Sequence, residues 1–391
     1  MGALGNYVAS DFGMTPAQKG LMAALPLLGG SFLRCVLGYL TDTWGARKAG
    51  LMGLSFTLLP LLGGWLWADS LDKIFAVAIL LGVAGASFAV ALPMVSRWYP
   101  REHQGLALGI AGAGNSGTIL ATLFGPRLAE VYGWHRVFGM AIIPLLAVTA
   151  IFFALAKDAP NRSKGSNFRQ YLQLFREKDI YSFGFFYAVT FGGFVGLASY
   201  LSIFLRDQYG ISKVAAGDLT SICVVAGSFM RPLGGFLSDR LGGIRLLGLL
   251  YASVTVLAFI LAKLPPIAFT VPLFFLMMGC LGMSNGAVFQ LVPQRFAKNV
   301  GIATGILGAA GGLGGFFLPT LLGWFKQYFG TYAAGLMLFA YIAAGAGILL
   351  KWAQRKWEGT WIGANGCVAS LRHQDEEEER FSPKPQAELV S

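Results

Sequence analysis

Hydrophobic residues fall into long runs, separated by short stretches rich in charge, glycine and proline. Eleven runs cover approximately 17–40, 49–68, 74–96, 104–126, 134–156, 180–205, 214–237, 244–262, 268–292, 301–325 and 330–350. Apolar stretches of about 20 residues predict membrane-spanning helices. Breakers at 42–45, 98–102, 160–166, 239–243 and 265–266 separate them. The predicted fold class is therefore all-α and polytopic.

Composition agrees. The 391 residues are 55% hydrophobic and 13% charged, with a mean hydropathy of +0.61. Soluble domains carry roughly 25% charge, so an ordinary soluble enzyme, a disordered chain and a disulfide scaffold are excluded. A net charge of +11 would suggest nucleic acid in a soluble protein. Here the basic residues lie mostly in loops, and their distribution alternates. Seventeen Lys and Arg fall in one set of loops and eight in the other. The richer set is expected on the cytoplasmic side of a plasma membrane.

This divides the chain into an N-terminal bundle (1–156), a cytoplasmic linker (157–179), a C-terminal bundle (180–353) and a polar tail (354–391). The tail carries an acidic run at 375–379, and its composition predicts disorder on the cytoplasmic side. Five spans precede the linker and six follow it. Residues 1–8, MGALGNYV, are apolar but too short to cross a bilayer. They read as the end of a truncated first helix that would complete six plus six. The alternative is eleven spans with an external N-terminus.

Self-comparison reveals an internal repeat. GSFLRCVLGYLTD (30–42) aligns without gaps to GSFMRPLGGFLSD (227–239), 197 residues later. AVALPMVSRW (89–98) pairs with AVFQLVPQRF (287–296), and GLALGIAGAGNSG (105–117) with GIATGILGAAGGL (301–313). Two pseudo-symmetric halves with a midplane site between them are the build of many secondary transporters.

Arg34 and Arg231 occupy equivalent repeat positions, each inside an apolar run two turns before an aspartate. An intramembrane arginine costs at least roughly 2.5–3.5 kcal/mol. A matched pair across a pseudo-twofold axis points to an anion between two guanidinium forks. The alternative is pairing with backbone carbonyls, or snorkelling. Glycines recur at steps of three or four in 105–117 and 301–315, which suits close helix packing. Asn115 interrupts the first run as either interhelical glue or a substrate donor. Tyr187 and Phe191 share a helix face.

No Asp, Glu or His lies mid-span, which favours exchange or facilitated movement over proton symport. Cys35, Cys223 and Cys280 lie in apolar runs, and with Cys367 they lack metal-ligand spacing. His103, His135 and His373 lie in loops or the tail. No nucleophile elbow, phosphate loop or metal cluster is present. No enzyme activity, metal, cofactor or nucleic-acid partner is expected.

GYLTDTWGARKAG (38–50) and its echo GFLSDRLGGIR (235–245) resemble the loop motif of the major facilitator superfamily. Its conformational residues would be Gly38, Asp42, Gly45, Arg47, Asp239 and Arg240. AGAGNSG (111–117) and GILGAAGGLGGFFLP (305–319) resemble the signature helices of the nitrate/nitrite porter family. GSFLR, GSFMR, ASFAVALPMVSRWYP (86–100) and SNGAVFQLVPQRF (284–296) add to that likeness, which runs from Gly2 to about Lys351.

The resemblance implies a twelve-helix major facilitator fold with a central substrate site. It implies that Arg34 and Arg231 grip the anion and that Asn115 contacts it. It matches Phe88, Tyr187 and Phe191 to family site positions, with facing phenyl rings forming a planar slot, and adds Asn285 as a further candidate. The expected function is alternating-access transport of nitrate and/or nitrite by a monomer in the plasma membrane, working as an anion exchanger. Proton symport, another small anion such as formate or a sugar phosphate, and a non-transporting nitrate sensor are the alternatives.

Overall fold

The computed structural model describes residues 1–98, 110–158, 173–296 and 300–362. Among these the protein is helical, and ten segments are long and apolar enough to cross a membrane. A 3-10 turn (Gly2–Leu4) leads into α1 (Gly5–Asp11), too short to span. The first half continues with α2 (Pro16–Trp44), α3 (Ala46–Leu66), α4 (Leu71–Ala86), α5 (Phe88–Trp98), α6 (Gly117–Tyr132), α7 (Trp134–Met140) and α8 (Ile142–Leu155). The second half has α9 (Lys178–Tyr209), α10 (Lys213–Leu241), α11 (Gly243–Leu261), α12 (Ile267–Arg295), α13 (Val300–Phe329) and α14 (Ala333–Trp357).

Among the described residues ten spans replace the eleven expected. The expected span at 104–126 begins outside the described residues. Its described part changes to a 3-10 turn at Ala113–Ser116 before α6, which has 16 residues. Helix α14 runs through Trp357, and Trp361 beyond it packs against Phe183 at 6.3 Å. The acidic run at 375–379 lies outside the described residues.

The repeat is written into the turns. Gly13, Gly45 and Gly133 have positive φ, and so do Gly210, Gly242 and Gly330, each 197 residues after its counterpart. Glycine lacks the Cβ that disfavours this backbone region. The caps repeat as well. Thr15 accepts from the backbone N–H of Gln18 at 3.4 Å, and Ser212 from that of Ala215 at 3.1 Å. Both satisfy orphan donors of a first helical turn.

The halves meet along two seams. Helix α2 runs antiparallel to α13, with Gly20 on Pro319, Ser31 on Gly312 and Arg34 on Gly308. Helix α10 packs on α6, with Gly217 on Thr122 and Pro126. Both seams are sealed at the end carrying Lys19. Lys19 Nζ lies 2.7 Å from Asp207 Oδ2, and Arg127 grips Asp218 at 2.5 and 2.9 Å. Asn6 Nδ2 donates to the Ser202 carbonyl at 3.0 Å, and the Thr122 and Ser221 hydroxyls are 2.7 Å apart. Beyond Arg34 the α2–α13 seam parts, and a cavity opens toward Asp42.

Large apolar side chains such as Phe32, Leu66, Ile143 and Ile348 point outward. Helix α8 buries none of its residues. On a soluble protein that surface would be a liability; in a bilayer it is the solvent contact.

Candidate functional site

Helix α2 delivers Arg34 to the point where its seam with α13 ends. The side chain is 7% exposed. Its Nε and Nη2 donate to the Gly85 carbonyl at 3.2 and 3.1 Å, and its Nη1 donates to the Gly308 carbonyl of the opposite half. Arg231, from α10, is 4% exposed. Its Nη1 donates to the Gly112 carbonyl at 3.5 Å, again across the halves, and its Nη2 to the Tyr187 hydroxyl at 3.3 Å.

The two guanidiniums share one ring. Arg34 Cζ lies 5.2 Å and Arg231 Cζ 5.8 Å from the Phe191 centroid, and Arg231 is also 5.3 Å from that of Phe289. A ring face attracts a desolvated cation by about 2 kcal/mol. Among the described residues, the hydrogen bonds of both arginines go to neutral oxygens. They satisfy geometry without cancelling charge, so two positive charges stand in an apolar interior.

The cavity between the halves is lined by Arg34, Gly38, Asp42, Phe88, Tyr187, Phe191, Phe289, Thr304 and neighbouring small residues. Arg231 meets its wall through Tyr187, Phe191 and Phe289. Each guanidinium has five N–H donors. Their bonds within the described residues leave two free on Arg34 and three on Arg231. The planar forks present the donor geometry that suits a small oxyanion.

The structure therefore brings together Arg34, Phe88, Tyr187 and Phe191, with Arg231 behind them. It also alters the expected detail. Both arginines are carbonyl-bound, and of the two Arg34 lines the cavity while Arg231 lies behind its aromatic wall. Tyr187 and Phe191 stack on each other, centroids 4.9 Å apart and planes 4° apart, so no slot lies between those two rings. Phe289 meets Tyr187 edge-on at 5.0 Å.

Asn115 sits half-buried in the 3-10 turn and is absent from the cavity lining. Asn285 is 1% exposed, and its Oδ1 has no partner among the described residues. It also lies outside the lining. Of the loop-motif residues, Gly38 and Asp42 line the cavity and Gly45 turns the chain with φ 97°. Arg47 instead ties α3 to the end of α8, its backbone N–H donating to Asp158 at 3.0 Å and its Nη2 to the Phe153 carbonyl at 2.7 Å. Arg240 lies over Phe236 of its own helix, and Asp239 is exposed.

Phe289 and Thr304 escaped the sequence reading. Phe289 is one apolar ring in an apolar span, and its spacing of one turn from Asn285 was the available signal.

The major facilitator superfamily model matches residues 1–319. A nitrite extrusion protein of Bacillus subtilis is 36% identical over 349 residues, covering 89% of this chain and 88% of that protein. A Mycobacterium tuberculosis protein named "Probable nitrate/nitrite transporter NarK2" is 33% identical, covering 86% and 87%. The crystal structure of a D-xylose-proton symporter superposes with a TM-score of 0.69 at 15% identity, covering 89% of this chain and 91% of that one, a likeness of fold alone. With its repeated halves, ten apolar spans and paired arginines, the chain belongs to the nitrate/nitrite porter family of the major facilitator superfamily.

Proposed function

We propose that this protein carries nitrate and nitrite across the plasma membrane by alternating access, as an anion exchanger. The observation that carries the reading is that two buried guanidiniums, one per half, lie over one ring, Phe191, which walls the cavity between the halves. Arg34 and Arg231 hold the anion. Phe88, Tyr187, Phe191 and Phe289 wall it, and Asn115 and Asn285 are further contacts reached as the halves move. Bringing the arginines together is favourable when negative charge lies between them and repulsive when none does. The empty carrier therefore resists switching, and exchange follows.

The division into bundles at 1–156 and 180–353, joined by a linker at 157–179, is the mechanical unit of this proposal. Among the described residues the first bundle holds four of the ten spans and the second six. The excess of basic residues supports a cytoplasmic linker and tail, which makes the Asp42 end the inner mouth. The carrier works as a monomer, since each chain supplies both arginines.

Counterflow of nitrate against nitrite in proteoliposomes tests this. The parent chain should exchange, and Arg34→Ala should abolish exchange. Full nitrate uptake driven by a proton gradient into vesicles holding no internal nitrate or nitrite would refute the exchange mode.

A further inference from the structure

Two hydrogen bonds at the site are mirror images. Arg34 of the first half donates to Gly308 of the second, and Arg231 of the second donates to Gly112 of the first. The glycines correspond in the repeat, 196 residues apart. We infer that the backbone carbonyls of Gly112 and Gly308 are positioning groups that aim the arginine of the opposite half at the anion. The inference rests on the anion-carrier reading above.

Signature-helix glycines have an obvious alternative role in letting backbones approach. The surroundings separate the two roles. A Cβ on Gly314 would lie 2.2 Å from the Ala188 carbonyl oxygen, a backbone contact and so a packing position. A Cβ on Gly112 would instead meet the Arg231 side chain, 2.9 Å from Cζ and Nε. Gly112 has ordinary helical dihedrals, φ −66° and ψ −26°, so alanine suits its backbone. What must yield is the far end of a flexible side chain, and that end is the guanidinium. At Gly308 a Cβ would sit 3.5 Å from Arg34 Cδ, an ordinary contact. The bonds are reciprocal but the tolerances are unequal, and that inequality makes the idea testable.

The experiment is nitrate/nitrite counterflow with the full chain, alongside thermal melting of the same preparations in detergent. Gly112→Ala should raise the nitrate KM about tenfold or more, the scale of a lost charge-assisted hydrogen bond, with the melting temperature unchanged. Gly308→Val carries methyls past ordinary contact distance of Arg34 and should raise KM as Gly112→Ala does. Gly314→Ala should lower the melting temperature. Gly117, with nothing within 4 Å of its Cβ position, is the control.

A Gly112→Ala carrier with parental KM overturns the positioning role, as does a Gly308→Val carrier with parental KM should Gly112→Ala fail to fold. A parent chain that shows no counterflow overturns the transport reading, and this inference with it.

Discussion

Guanidinium geometry, more than charge, distinguishes Arg34. Three of its N–H groups are held by two carbonyls, Gly85 of its own half and Gly308 of the other. A lysine keeps the charge but presents no planar fork. Arg34→Lys should therefore weaken nitrate affinity by about tenfold or more, the scale of a lost hydrogen bond to a charged group, as read by nitrate-induced stabilisation in a melting assay. Phe289 makes a second residue-level prediction. Its ring faces Arg231 at 5.3 Å. Phe289→Leu keeps the wall apolar but removes the π face, so the empty carrier should lose up to about 2 kcal/mol of stability. Nitrate should restore more stability to this variant than to the parent. The arginines were legible in the sequence because a charge inside an apolar run is conspicuous. Phe289 was not, because its role comes from tertiary placement beside a charge from another helix.

At the scale of helices, the Lys19 end is closed by contacts of unequal strength. Arg127 and Asp218 are 45% and 33% exposed, and such pairs contribute at most about 1 kcal/mol. Lys19 and Asp207 are 19% and 17% exposed, and Asp207 also accepts from the Tyr332 hydroxyl at 3.3 Å. Asp207→Asn should therefore loosen this end more than Asp218→Asn. Amide hydrogen exchange around Gly20 measures the difference, and equal protection in both variants would contradict the ranking. Removing a cap should act more locally. Ser212→Ala is expected to lower stability by about 1 kcal/mol, measured by melting, without moving the nitrate KM. The repeat predicted equivalent helices, and the turn glycines and caps bear that out at a spacing of 197. The break at Ala113–Ser116 was not legible, since Asn115 and Ser116 mark a polar interruption that a continuous helix can also carry as interhelical glue.

For the molecule as a whole, the pseudo-twofold relation does what neither half does alone. Each half lends an arginine and a carbonyl to the other, so the site exists only when both are docked. The two-half build and the arginine pair could be read from residue pattern, because repetition and misplaced charge survive in one dimension. The crossed pairing could not, because it depends on which faces of α2, α6, α10 and α13 meet. Exchange should outpace net efflux from loaded vesicles, and equal rates would show that the empty carrier switches freely.

Two positive charges hydrogen-bonded to neutral oxygens within spanning helices would also make an alternating-access carrier sensitive to voltage. When access alternates, the electric field shifts from one side of the site to the other. An elementary charge crossing the full potential is worth about 2.3 kcal/mol per 100 mV. The vacant site presents two positive charges to that field, and the site holding one monovalent anion presents one. With the Asp42 mouth on the negative side, the potential holds the vacant form in the orientation described above, about twice as firmly as the occupied form. An energised membrane would then brake the return of an empty carrier about twice as strongly as that of a loaded one, and so tighten the coupling between the ion that leaves and the ion that enters.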